Sequence, residues 1–317
     1  MNSSPVRRSI RLCGSQAAQA LVPGACLTSL AVFRHSCYLQ TPDQSIVCLL
    51  DDLNVPGPLH VLCRLPGNFD WTAHLQPGQQ GVVSDTGILL NKLFFFYSQS
   101  TSIWQPPRLA TPDPDTVQTA LRCLQTYLAA GRPPAEQAAQ ESGLGVFILP
   151  LLRGTLAEFI PTTPVAAAAT GGIQALHAWL YADARPDWVA PDWVAPDSVI
   201  RLLGLGPGLT PSGDDFLVGL WVSLHALGWH TAANRLAAQI IPLAGNYTNL
   251  ISLAHLRCAA QGQAAAPLHC LLQVLYTAPA AMPEAVAALT AVGHSSGWDS
   301  LAGIVLATMA YTHNPQH

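Results

Sequence analysis

Residues 204–227 have the sequence GLGPGLTPSGDDFLVGLWVSLHAL, in which a loop rich in glycine and proline leads directly into an apolar segment. Glycine and proline at this density fix a tight loop, and the apolar run after it is typical of a buried helix. The amides of such a loop, together with the N-terminus of the next helix, favour an anionic ligand. The stretch therefore predicts a helical core with an anion-binding site at the entrance of one helix.

The composition of the whole chain limits its partners. The chain has 317 residues, of which 50% are hydrophobic and only 10% charged, and its net charge is −4. A chain of this length can bury a large core and form about two domains. No basic stripe and no run of about 20 apolar residues is present, so neither nucleic acid nor a membrane is a predicted partner.

The eight cysteines are dispersed and contain no Cys-x-x-Cys pair. They predict reduced core thiols in a cytoplasmic protein, without a disulfide framework or a zinc site. Residues 1–26 contain three arginines among serines, and the apolar stretch near them is interrupted by Pro23 and Gly24. This segment resembles a targeting sequence only loosely. We predict an N-terminal extension over residues 1–26 that can be disordered.

The remainder of the chain divides by pattern into two parts. Between residues 46 and 97, short apolar runs alternate with turn signals, which predicts a β-rich unit, a sheet or a barrel, over residues 27–107. Long segments rich in alanine and leucine with helical spacing follow and predict a mainly helical domain over residues 108–317. The predicted fold class is α+β, with a small β-rich N-terminal unit before a larger, mostly α-helical unit.

A pentapeptide repeat interrupts the helical part. The sequence Pro-Asp-Trp-Val-Ala occurs at residues 186–190 and again at 191–195, and Pro196 and Asp197 follow. Proline at every fifth position prevents a continuous helix. The repeat predicts a duplicated surface loop, and a docking element that presents tryptophan is the alternative.

The glycine-rich loop is the first candidate site. Neither a phosphate-binding Walker motif nor a dinucleotide-binding motif fits its spacing. A second reading is purely structural, because Ser212 and Asp215 match a helix capping box. That reading leaves Asp214 and the glycines unexplained. The loop amides are the predicted ligands of an anion.

Two adjacent carboxylates, Asp214 and Asp215, lie beside this predicted anion site and would repel an anion. Either a divalent cation separates them from the anion, or they accept hydrogen bonds from the N–H groups of a carbamoyl or ureido compound. The second option needs no metal. We therefore predict neither a metal nor a cofactor.

A second loop, GHSSGWDSLAG at residues 293–303, also enters an apolar helix. Ser295 and Ser296 offer hydroxyls and amides to a ligand, and His294 can act as an acid, a base or an electrophile. The structural alternative is a serine N-cap with Asp299 in the first turn.

Between the two loops, Thr248, Ser252 and His255 share one helix face. They can line the same cavity, or the hydroxyls can bond back to their own helix.

Three of these segments, residues 204–217, 247–252 and 293–303, resemble a bacterial family long known only as a domain of unknown function. Its best-known member is the H subunit of the oxamate carbamoyltransferase of anaerobic allantoin degradation. The similarity extends more loosely to residues 29–34 and 56–67. It implies a multi-subunit enzyme that converts oxalurate and phosphate into oxamate and carbamoyl phosphate, with two other subunit types as partners.

With this resemblance, we expect Asp214 to hold the carbamoyl NH2 group and His294 to polarise the carbonyl or protonate the leaving nitrogen. The catalytic candidates are Asp214, Asp215 and His294. The substrate and phosphate ligands are expected among Gly206, Gly208, Thr210, Ser212, Gly213, Thr248, Ser252, Ser295, Ser296 and Asp299. A site completed by a partner subunit, a non-catalytic anion-binding subunit and a magnesium-dependent phosphoryl transferase are the alternatives.

Overall fold

The structure, a computed structural model, describes residues 5–131, 133–182 and 194–313. The chain divides into two compact units, Met1–Pro106 and Pro107–His317. The first is built from strands and the second mainly from helices, so the predicted α+β class is confirmed. Most of the pentapeptide repeat, residues 186–193, lies outside the described residues.

The first unit contains a closed eight-stranded barrel. Its strands are β1 (Val6–Gly14), β2 (Cys26–Val32), β3 (Ser36–Gln40), β4 (Ile46–Asp51), β5 (His60–Cys63), β6 (Gln80–Ser84), β7 (Gly87–Leu90) and β8 (Leu93–Phe96). Neighbouring strands follow the order β5-β4-β3-β2-β6-β7-β8-β1, and the pairing of β1 with β5 closes the ring. A short ninth strand, β9 (Ser102–Trp104), pairs with the end of β1. Buried side chains such as Leu39, Leu49 and Phe95 fill the interior.

Residues 6–26 correct the prediction of an N-terminal extension, because they belong to this barrel. Strand β1 runs parallel to β8 and antiparallel to β5, and the short helix α1 (Ser15–Ala20) follows it. Arg7, one of the arginines that suggested an extension, is exposed, and its guanidinium lies 5.2 Å from the ring centroid of Phe94. Ile10 and Cys13 point into the core.

The cysteines give a second, smaller correction. All eight are free, as predicted, and five of them are buried. Cys26 and Cys270 are exposed, so the prediction that all lie in a core is wrong for these two.

Helices make up the second unit. They are α2 (Pro114–Ala129), α3 (Pro134–Ser142), α4 (Ile148–Arg153), α5 (Pro164–Ala182), α6 (Asp197–Ile200), α7 (Ser212–Ala226), α8 (His230–Ala244), α9 (Leu250–Ala259), α10 (Ala266–Thr277), α11 (Met282–Thr290) and α12 (Ser296–Thr312). A large cluster of buried apolar side chains forms one core for this unit. Within the described ranges, no helix is both long and apolar enough to cross a membrane.

Helices α7 and α12 cross at the centre of this core with their backbones in contact. A Cβ atom on Gly219 would lie 2.0 Å from the carbonyl oxygen of Ser300, and one on Gly303 would lie 2.1 Å from that of Phe216. Any side chain at either glycine would push the helices apart. The two glycines therefore fix the distance between the helices and bring their first turns together.

Candidate functional site

The first turns of α7, α9 and α12 meet at one place, together with the glycine-rich loop over residues 204–211. The hydroxyls of Thr210 and Ser296 lie 3.0 Å apart, which joins the loop to α12. The Asn249 side chain donates to the Leu209 carbonyl at 2.8 Å, which joins the loop to the start of α9. The structure thus brings together the three segments that the motifs nominated.

The glycines of the loop have backbone conformations that side chains rarely adopt. Gly204, Gly206 and Gly208 have φ angles of 68°, 107° and 106°. Gly206 is half-buried, while Gly208 is exposed and marks the outer end of the loop. Gly213 differs, because it is buried and its N–H already donates to the Leu205 carbonyl at 2.9 Å. The amides of Gly206 and Gly208 are consequently the better candidates for an external anion.

Asp214 ties three segments of the site to one another. Its Oδ1 accepts the N–H of Gly204 at 2.9 Å. Its Oδ2 accepts hydrogen bonds from the hydroxyls of Thr248 and Ser252, the latter at 2.7 Å. Burial raises the pKa of Asp214 above its ordinary value, and the two hydroxyls and the Gly204 amide oppose that shift. The side chain is 1% exposed, and its oxygens accept three bonds from within the protein.

These contacts decide between two readings of the α9 face. Thr248 and Ser252 donate their hydroxyl protons to Asp214, so the alternative in which they bond back to their own helix is wrong for both. His255, one turn further along α9, is half-buried. Thr248 and Ser252, the first two residues of the predicted polar stripe, thus bind α9 to Asp214.

Asp215 lies one residue further into α7 and is surrounded differently. Burial raises the pKa of Asp215 well above its ordinary value, and the nearby charges of Asp299 and Asp214 act in the same direction. The neighbouring hydroxyls of Ser296 and Thr210 oppose this shift. The Oδ2 atom of Asp215 is buried and has no hydrogen-bond partner among the described residues.

Asp299 occupies the equivalent position in α12 and is fully buried. Its Oδ1 accepts the N–H of Leu144, and Gly143 must be glycine because a Cβ there would lie 2.2 Å from that oxygen. Burial raises the pKa of Asp299 to about 6, although the Leu144 amide and the hydroxyls of Ser212 and Ser295 lower it. Neither hydroxyl forms a hydrogen bond with the Oδ2 atom of Asp299. This oxygen has no partner within the part of the chain that the structure describes.

The resemblance between the surroundings of Asp215 and Asp299 follows from a sequence repeat. Residues 212–219, SGDDFLVG, and residues 296–303, SGWDSLAG, share the pattern Ser-Gly-x-Asp-x-Leu-x-Gly. We call these two segments the α7 motif and the α12 motif. The first serine of each motif lies beside the aspartate of the other, and the last glycine of each contacts the backbone of the other.

The capping alternative is wrong for α7, and for α12 it holds for the positions of Ser295 and Asp299 but not for the capping hydrogen bond. Helix α7 begins at Ser212, and its N-cap is Pro211, so the predicted capping box is wrong. Ser295 does occupy the N-cap position of α12, but its side chain makes no capping hydrogen bond. The serines near these helix starts are therefore not consumed by capping.

The other predicted site residues lie at the solvent-exposed end of the site. His294 is exposed, and Ser295 and Ser296 beside it are half-buried. Two contributions were absent from the prediction, namely the Asn249 bond to the loop and the Leu144 amide at Asp299. An asparagine directly before an apolar run is a recognisable N-cap signal, whereas nothing near Leu144 indicated its role.

Amides and hydroxyls at the exposed end of the site can donate hydrogen bonds to an anion. Asp215 and Asp299 are buried, and each has one oxygen without a partner among the described residues that could accept a hydrogen bond from an N–H group. Among the described residues, no group of three or more histidines, cysteines or acidic residues is arranged to hold a metal ion.

Comparison with known proteins agrees with the motifs. A family model described as oxamate carbamoyltransferase subunit AllH matches residues 202–308. The match begins just before the glycine-rich loop and ends within α12, so it includes α7, α9 and both copies of the repeated motif. It confirms the family resemblance over this segment. No solved structure matches the chain.

Proposed function

We propose that this chain is a cytoplasmic subunit of a carbamoyltransferase that converts oxalurate and phosphate into oxamate and carbamoyl phosphate. One observation carries the proposal: the segment that matches the AllH family model, residues 202–308, contains the loop and all three helix starts that meet at the site. The similarity therefore coincides with the part of the molecule that can bind an anion and N–H donors together.

The reaction makes three demands on a site. A phosphate oxygen attacks the carbamoyl carbon, the bond from that carbon to the oxamate nitrogen breaks, and the leaving nitrogen takes up a proton. The enzyme must hold phosphate beside the carbamoyl group, orient the planar NH2 group and stabilise the oxyanion that develops. These demands correspond to an anion cradle, buried hydrogen-bond acceptors and a proton donor.

We assign phosphate to the open end of the site. The amides of Gly206 and Gly208 and the hydroxyls of Thr210, Ser295 and Ser296 lie there, at the rim of two helix N-termini. Helix N-termini favour anions because their amides carry partial positive charge. His294, exposed at the same rim, is our candidate for polarising the carbonyl.

We revise the acceptor for the substrate NH2 group. Asp214 already accepts three hydrogen bonds, so we assign it to positioning the loop against α9. The carboxyl groups of Asp215 and Asp299 are the better candidates to face the substrate nitrogens, because each has a buried oxygen without a hydrogen-bond partner among the described residues.

The proposed enzyme also needs partner subunits to supply positive charge at the site. Residues 204–215, 247–252 and 293–299 contain no lysine or arginine, although oxalurate and phosphate are both anions. We infer that a residue from one of two other subunit types supplies positive charge over the open end. The isolated chain would then bind substrates weakly and have no turnover.

The test is to co-express the chain with the products of its chromosomal neighbours, purify the complex and measure carbamoyl phosphate formed from oxalurate and phosphate. We expect turnover by the wild-type complex and by the control Glu284→Gln, whose side chain is exposed on α11. Asp215→Asn should assemble normally but lose most of its turnover. An intact complex that forms no carbamoyl phosphate would contradict the specific reaction.

A non-catalytic role is the second candidate, and the absence of lysine and arginine from the three helix starts favours it. In that case the chain senses a small anion while chemistry takes place in a partner. The variant Asp215→Asn separates the two roles, because a sensing subunit would leave the maximal rate of the complex unchanged while altering its response to the anion.

A further inference from the structure

We propose that Asp215 and Asp299 form a carboxyl pair that shares one proton at neutral pH, and that this proton is the one delivered to the leaving nitrogen. The sharing of a proton is independent of the reaction assigned above. The delivery of the proton rests on the proposed function.

The geometry of the repeat supports the pair. Each aspartate is the fourth residue of its motif, and each is approached by the serine that opens the other motif. Each has one buried oxygen without a partner among the described residues. A buried acceptor without a donor is costly, and a single proton held between two carboxylates gives one of them a donor and the other a partner.

The charges around the pair favour one negative charge over two. From α7, Asp214 adds a further carboxylate, and its charge acts on Asp215. Facing the pair from the other elements are neutral donors, namely the hydroxyls of Thr210 and Ser295 and the Leu144 amide. The two helix N-termini can stabilise one negative charge but do not offset two adjacent ones in a buried site.

The direction of the pKa shifts agrees with this geometry. Burial raises the pKa of Asp299 to about 6 and that of Asp215 well above its ordinary value. Close carboxylates that cannot both ionise titrate as one unit, so the higher pKa belongs to the pair. One carboxyl group of the pair therefore keeps its proton at a pH at which the other is ionised.

The chemical balance closes with no further reactant. As the phosphate oxygen bonds to the carbamoyl carbon and the carbon–nitrogen bond breaks, the shared proton moves to the leaving nitrogen and completes the oxamate amide. The hydroxyl proton of the attacking hydrogen phosphate passes to the pair and restores it. The pair thus relays one proton per turnover and undergoes no net change.

Infrared spectroscopy of the full-length chain tests the shared proton without reference to activity. The chain is labelled with 13C-aspartate, and the C=O band of protonated aspartate is measured at pH 7. We expect one protonated aspartate in the wild type and in the control Asp43→Asn, which alters an exposed carboxylate in the barrel unit. Asp215→Asn and Asp299→Asn should each lose the band, because asparagine donates to the remaining carboxylate as the proton did.

The wild-type spectrum decides the question even where a variant fails to fold. Absence of any protonated aspartate at pH 7 would overturn the proposal, and binding of Mn2+ by the chain in that case would show that a cation holds the two carboxylates. Two protonated aspartates, of which each asparagine variant retains one, would also overturn it, since the pair would then share nothing.

Proton delivery is tested in the assembled complex. We expect Asp215→Asn and Asp299→Asn each to lower kcat by roughly 10² to 10⁴-fold, the usual worth of general acid catalysis. An aryl carbamate, whose leaving group departs without a proton, should be cleaved by the variants at nearly the wild-type rate. Equal losses with both substrates would contradict delivery, whereas a failure of the proposed function would appear as no turnover of oxalurate by the wild type.

Discussion

The α7 and α12 motifs carry the same pattern but differ at their third residue. In the α7 motif this residue is Asp214, which joins the glycine-rich loop to α9 through three hydrogen bonds. In the α12 motif it is Trp298, which is 1% exposed and belongs to the apolar core. The aspartates shared by the two motifs form the proposed carboxyl pair, and the shared glycines form the helix crossing. The third residue differs: Asp214 binds the α7 motif to the loop, and Trp298 packs the α12 motif into the core.

Substitution of the glycines shared by the two motifs should have the largest effect on stability. Gly219→Ala and Gly303→Ala each place a Cβ about 2 Å from a backbone carbonyl of the other helix. Because both contacts involve backbone, we expect each variant to lower the free energy of unfolding by about 3 kcal/mol or more in urea titrations.

Gly171→Ala in α5 is the matched control for these variants. It is an exposed helical glycine whose Cβ would meet nothing closer than 3.6 Å. Alanine there should be neutral or stabilise the helix by up to about 1 kcal/mol. Equal stability of all three variants would contradict the close crossing of α7 and α12.

The shared aspartates should make stability depend on pH. The folded pKa of Asp299 is about 6, above its ordinary 3.8, so the folded state binds more protons than the unfolded state between these values. The contribution of Asp299 to stability is therefore present at low pH and lost as pH rises to about 6, with a total near 3 kcal/mol. Asp299→Asn should remove this dependence in paired unfolding curves. A wild-type-minus-variant difference that does not change with pH would contradict the shift.

Substitution of the third residue should have different effects in the two motifs. Asp214→Asn replaces an acceptor with a donor that faces two hydroxyls and the Gly204 amide, so we expect a loss of about 2 kcal/mol and faster amide exchange in residues 204–211. Trp298→Phe keeps an apolar ring in the core and should leave exchange in that loop unchanged. Loop exchange that rises equally in both variants would show that the two positions do not divide these roles.

Removal of the N-cap of α9 should have the smallest effect on stability. Asn249→Ala removes the side-chain acceptor for the Ile251 and Ser252 amides, as well as the bond to the Leu209 carbonyl. We expect about 1 kcal/mol of destabilisation by thermal unfolding. Restoration of stability by Asn249→Asp, which keeps the cap but not the donor to Leu209, would assign the effect to capping.

Local patterns predicted most of the fold and part of the site. The apolar runs at residues 46–50 and 93–97 correspond to strands β4 and β8, because a short apolar run between turn signals is typical of a buried strand. Strand β1 was missed because it carries arginines, of which Arg7 lies over the aromatic rings of Phe94 and Phe96 in the neighbouring strand, a contact between residues distant in sequence.

The site shows the same division between local and distant information. The glycine-rich loop and the two helix starts were predicted, since each is encoded by adjacent residues. The roles of Asp214 and Asp215 could not be separated from sequence, because the difference depends on Thr248 and Ser252 of another helix. The repeated motif was readable in the sequence, but only its structure shows that each serine serves the aspartate of the other copy.

A double-mutant cycle on kcat tests most directly whether the two motifs act as one unit. The complex is assembled with Asp215→Asn, with Asp299→Asn and with both, and turnover of oxalurate is compared with the wild type. If the two carboxyl groups hold one proton between them, the double variant should be no slower than either single variant, because residues that act as a unit have non-additive effects. Losses in kcat that multiply in the double variant would contradict the pair.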